Sequence, residues 1–113
     1  MTQQLTLELA REAGHAAAQA CADKADKLDP GWIAAAVESL RRFARNQHGC
    51  WTIEQARSVI AEEVTAPHDL RAYGHITRAA IKAGYIERVK GAYAPAASSH
   101  SSLKPMYRRG AQA

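Results

Sequence analysis

The chain has 113 residues, a mass of 12.3 kDa, a 47% apolar composition and a net charge of +4, which fits one compact domain and excludes a two-domain enzyme. No apolar run reaches the length of a membrane span and no basic flank with a hydrophobic stretch behind it opens the chain, so a cytoplasmic protein with no membrane partner is expected. Cys21 and Cys50 are too few for a disulfide scaffold and do not stand at C-x-x-C spacing, so both read as reduced thiols.

In chain order, Leu5 to Lys27 is Ala-rich and proline-free, with Leu5, Leu9, Ala13, Ala16 and Ala20 at helical steps that predict a buried stripe. Gly14 weakens this helix by about 1 kcal/mol relative to alanine. Its small side chains fit either a dimer or partner surface or a lid over the remaining helices, and both readings stay open. Asp29 and Pro30 predict the start of a second helix, the aspartate accepting from orphan amides and the proline taking the first turn. Its core face is Ile33, Val37, Leu40 and Ala44, widened by Trp32, Ala36 and Phe43, with Arg41, Arg42 and Arg45 suited to the negative end of the macrodipole.

Cys50 and Trp51 read as a short extended piece. Thr52 with Gln55 three residues on is a capping box for a third helix over Ile53 to Val64, with Ile53, Ala56, Ile60 and Val64 inward. After a tight connection, Asp69 is the predicted N-cap of a fourth helix, about 69–83, stopped by Gly84. Tyr85 to Tyr93 and Met106 to Arg108 read as two or three short strands, Ala96 to Ser102 as a mobile loop tip, and residues 110–113 as a disordered tail.

Charge is unevenly placed. Residues 1–29 hold three bases against five acids and residues 30–65 four against four, whereas residues 66–113 hold eight bases against Asp69 and Glu87. At about 100° per residue, Leu70, Tyr73, Ile76, Thr77, Ala80 and Ile81 share the apolar side of the fourth helix, while Arg71, His75, Arg78 and Lys82 fall within about 60° on the other. Like charges at these spacings repel by a few tenths of a kcal/mol per pair, a cost that an anionic partner would relieve. A solvated helix face is the plainer alternative; the basic segment that follows makes contact with nucleic acid the stronger one.

Other chemistries find little support. His48 and Cys50 are two apart with no second pair at ligand spacing, so neither a metal nor a cofactor is expected. Glu62 and Glu63 diverge on a helix and Asp69 is explained as a cap, so no acid/base set assembles and no enzyme is expected. Trp32, Trp51, Tyr73 and Tyr85 could stack bases but suit core positions better.

The order of elements, with the stretch LRAYGHITRAAIKAGYIERVKGAYAP from Leu70 to Pro95, resembles the winged helix-turn-helix DNA-binding superfamily. The motifs AREAG, DPGW, WT, LRAYG, AAIKAGYI and SH...PMYRR are also similar to small phage and prophage proteins found among replication and recombination genes, which would place the chain in a bacterial host cell. The superfamily resemblance implies a mainly α fold: an N-terminal Ala-rich helix over residues 1–28, a winged domain of three helices and a β-hairpin over 29–109, and the tail. It makes Arg71, His75, Arg78 and Lys82 groove-facing and sets Arg88, Lys90, Lys104, Arg108 and Arg109 on or near the wing, against phosphates. The expected partner is double-stranded DNA, bound without catalysis; the rival is an adaptor that docks a replication or recombination protein.

Overall fold

Helix boundaries follow from where orphan backbone amides find acceptors. The computed structural model describes the backbone of residues 2–96 and 99–113 and the side chains of residues 5–94 and 103–113. Its elements are α1 (Thr2–Leu28), α2 (Trp32–Arg45), β1 (Trp51–Thr52), α3 (Ile53–Glu63), α4 (Ala72–Ala83), β2 (Ile86–Ala96) and β3 (Ser99–Arg109). Among these residues the chain is mainly helical, with one antiparallel sheet ordered β1-β3-β2. No helix described is long and apolar enough to cross a membrane.

Two helix ends form as the sequence predicts. Thr52 accepts from the Gln55 amide at 3.4 Å while the Gln55 side chain accepts from the Thr52 amide at 2.9 Å, a reciprocal cap that starts α3. Gly84, at a φ of 81° that suits glycine, ends α4, and the Tyr85 amide donates to the Ala80 carbonyl at 2.9 Å.

Two caps differ. Helix α2 begins after Gly31, at a φ of 88°, and it is Asp26, not Asp29, whose Oδ1 accepts from the Ile33 amide at 3.0 Å. The carboxylate that reaches over the first turn comes from the last turns of α1, so the α1–α2 corner is fixed by a residue seven positions away. Asp69 also sits outside its helix: it accepts from the Arg71 amide at 2.9 Å in a tight turn whose Ala72 amide bonds back to the Asp69 carbonyl, and α4 starts at Ala72.

The core lies where α2, α3, α4 and the sheet meet, built on Trp32, Leu40, Ile60, Ile76 and Ile86. Trp51 stands nearly perpendicular to Phe43 with centroids 5.0 Å apart and is 6.0 Å from Tyr107, tying β1 and β3 to α2. Trp32, Trp51 and Tyr73 are thus buried, and Tyr85 is half-buried beneath the Arg41 guanidinium, 4.8 Å from its ring. On α2 the buried face centres on Trp32, Ala36, Leu40 and Phe43, with Ile33 and Val37 at its margin. Arg42 does more than face the helix end: it donates to Glu63 at 2.6 Å, beside a Ser39 hydroxyl donating at 2.7 Å, and these bonds hold the Glu63 carboxyl below its ordinary range.

Helix α1 corrects the predicted stripe. Ala18, Ala22 and Ala25 are buried, while Leu5, Leu9, Ala13, Ala16 and Ala20 are exposed. Ala16 and Ala18 are about 200° apart around a helix, so the buried side is nearly opposite the predicted one. In a helix with alanine on every side, apolar periodicity carries too little contrast to choose a face.

The ribbon is longer than predicted. Strands β2 and β3 pair from Ile86↔Arg109 to Ala96↔Ser99, with register shifts after Arg88 and Pro95, so Ala96 and residues 99–102 are strand rather than loop; residues 97–98 lie outside those described. The end of the chain is anchored rather than frayed: Gly110 is buried and donates to the Tyr85 carbonyl at 2.9 Å, and Gln112 donates to the Gly84 carbonyl at 2.8 Å. A Cβ at Gly110 would overlap the Gly84 carbonyl oxygen and stand 2.8 Å from the Tyr85 carbonyl carbon. Gly110→Ala is therefore expected to cost about 1–3 kcal/mol through backbone overpacking; urea denaturation checks it, and an unchanged midpoint would return these residues to a frayed end.

Candidate nucleic-acid interface

The fourth helix presents its core residues Ala72, Tyr73, Ile76, Thr77 and Ala80 to the interior, leaving Gly74, Arg78, Ile81 and Lys82 outward. That outward face is not free along its length. Helix α1 packs along α4, and a Cβ built on Gly74 would lie 3.5 Å from the Ala18 Cβ. Two small residues at the crossing let the helix axes approach closely there, with Gly74 itself still exposed beside α1.

The four predicted groove-facing residues are consequently dispersed. Arg71 precedes α4 and is engaged by Asp69, its Nε donating at 3.0 and 3.1 Å and its Nη2 at 2.7 Å, beside a hollow shared with Cys21 and Lys24 of α1. The Arg71 side chain, with its amide, holds the Asp69 carboxyl far below the usual carboxylate range. His75 is half-buried, with Nδ1 buried and lacking a hydrogen-bond partner among the described residues. Arg78 and Lys82 are exposed.

The five ribbon residues divide as well. Arg88 and Lys104 line an open cleft with Arg78; Lys90 is exposed. Arg108 is paired across the strands with Glu87 at 3.0 Å, and Arg109 donates to the Arg45 carbonyl at 3.4 Å, so both belong to a separate hollow beside Arg45.

The cleft that gathers Arg78, Arg88 and Lys104 measures about 660 Å³ and is bounded by Gly14, His15 and Ala18 of α1, the first turns of α3, the outward side of α4, and the ribbon. Leu70, Tyr73, Ile81, Pro105 and Tyr107 supply apolar wall, and Glu54 is the carboxylate among the lining residues. A fourth base, Arg57, lines the same cleft and is not among the residues that the sequence singles out. Arg57 stands half-buried on α3 with its guanidinium 5.9 Å from the Tyr73 ring of α4; four residues from Ile53 and three from Ile60, it falls beside the inward stripe, where the sequence suggests packing, and nothing local says that α3 borders the same cleft. Cations from four elements around one concavity raise the local positive potential and suit an extended anion.

Comparison with protein-family models, with curated proteins and with solved structures gives no match.

Proposed function

We propose that the chain is a non-catalytic DNA-binding protein built on the winged helix-turn-helix pattern, with α2, α3 and α4 as its three-helix core and β2–β3 as its wing. The observation that carries this reading is the convergence of Arg57, Arg78, Arg88 and Lys104 on one open cleft between α3, α4 and the ribbon. The β1-β3-β2 strand order, with β1 directly before α3 and the ribbon directly after α4, supports the pattern. With α1 packed beside Gly74, the C-terminal half of α4 approaches the groove, Arg78 and Lys82 leading, while Arg88, Lys90 and Lys104 meet backbone phosphates. A contact set dominated by phosphate gives affinity without strong sequence preference. An accessory role in replication or recombination inside a bacterial cell is the setting that goes with this proposal.

A fluorescence-anisotropy titration with random-sequence duplex across a salt series tests the reading. Binding is expected at low salt, with log affinity falling linearly against log salt by about 0.9 for each phosphate neutralised. Absence of binding at low salt refutes it. The second reading, an adaptor that docks a replication or recombination protein, is favoured by the packing of α1 along α4, which sets a second helix beside the face offered to a DNA groove.

A further inference from the structure

Successive side chains along a strand point to opposite faces. Arg88 pairs with Tyr107 and Glu87 with Arg108 across β2 and β3, so Arg88 and Tyr107 share the face that borders the cleft while Glu87 and Arg108 turn to the other. There a second hollow of about 590 Å³ is lined by Arg45, Glu87, Arg108, Arg109 and the anchored segment after β3. It has no lining residue in common with the cleft.

The charges around this hollow do not cancel. Glu87 offsets Arg108, to which it is bonded at 3.0 Å. Arg109 uses Nη1 to donate to the Arg45 carbonyl at 3.4 Å, which sets its guanidinium at the end of α2 beside the residue that carries the other one. Both arginines are exposed, and neither has a carboxylate partner among the described residues. Two planar guanidinium forks match the oxygens of phosphate. A lone anion in so open a place would gain little, because exposed charges stay hydrated and screened. A polyphosphate backbone gains more, since each contact releases a condensed counterion. We propose that the hollow is a second nucleic-acid site, in which Arg45 and Arg109 grip the phosphates of another duplex, so that one chain bridges two duplexes from opposite faces of the ribbon. The inference rests on the proposed function of the cleft, which holds the first duplex.

A capture experiment tests it. The full chain is loaded at low salt onto an excess of short, immobilised, random-sequence duplex, washed, and offered a labelled duplex of the same kind. The loaded chain is expected to retain the label. Arg45→Ala with Arg109→Ala should lower retention by about tenfold or more, while affinity for a single duplex, measured by anisotropy, stays within a few-fold. Arg45→Glu, which leaves the backbone carbonyl available to Arg109, should act in the same way, and circular dichroism verifies that both variants fold. Retention that survives both variants overturns the inference, since that outcome describes self-associated chains joined through their clefts. A chain that binds one duplex and captures no second overturns the inference alone and retains the proposed function. A chain that binds no duplex at all overturns both.

Discussion

Replacing Arg78, Arg88 and Lys104 together with alanine is expected to lower affinity for random duplex by about 10²- to 10³-fold near 0.1 M salt. The figure follows from counterion release: each phosphate contact carries a slope of about 0.9 in log affinity against log salt, hence close to tenfold one decade below 1 M. The slope itself should fall by about three, a signature that generalised damage to the fold would not produce. All three side chains are exposed, so the melting temperature should barely move. Arg108→Ala supplies the contrast. Its guanidinium is paired with Glu87 in a different hollow, so its loss should change affinity by no more than a few-fold. Equal losses from both variants, measured by anisotropy across the salt series, would show that net charge and not this cleft governs binding.

The largest stability effect is expected from Trp32→Ala, at about 3–5 kcal/mol. Trp32 is buried at the start of α2, stands edge-on to Tyr73 of α4 with centroids 6.1 Å apart, and donates from Nε1 to the Thr65 carbonyl at 2.6 Å. One side chain therefore ties α2 to α4 and to the connection between α3 and α4. Against a typical total of about 5–15 kcal/mol, this loss is a third or more of the stability over most of that range and should lower the urea midpoint markedly. Trp32→Phe retains most of the ring but not the N–H, and should cost less. A midpoint shift for Trp32→Ala equivalent to under about 1 kcal/mol would contradict this account of the core, because truncations of buried aromatics rarely cost so little.

Much of the helical framework is legible in the sequence. The capping box of Thr52 and Gln55, the left-handed Gly84, the extended Trp51 and the inward residues of α3 all rest on bonds or spacings within a few residues. The misplaced caps show the limit of such reasoning. Asp26, Asp29 and Asp69 are equally good acceptors by residue type, and only the path of the chain around Gly31 and through the 69–72 turn decides which amide each one reaches. The full length of the ribbon is not legible in the sequence because Ala, Ser and Gly carry little strand preference. Pairing between β2 and β3 supplies what the residues lack.

The candidate site was legible only in part. Its excess of bases in the last third and its core-facing side of α4 are properties of the sequence. The grouping of Arg78 with Arg88, Lys104 and Arg57, the diversion of Arg71 to Asp69 and of Arg108 to Glu87, and the packing of α1 beside Gly74 belong to the tertiary structure. The physical reason is range. A helix end is satisfied by groups four or five residues away, whereas burial of a helix face and pairing of a charge are settled by desolvation against whichever distant element packs there. On an alanine-covered helix such as α1, that choice is made by the neighbour rather than by the helix.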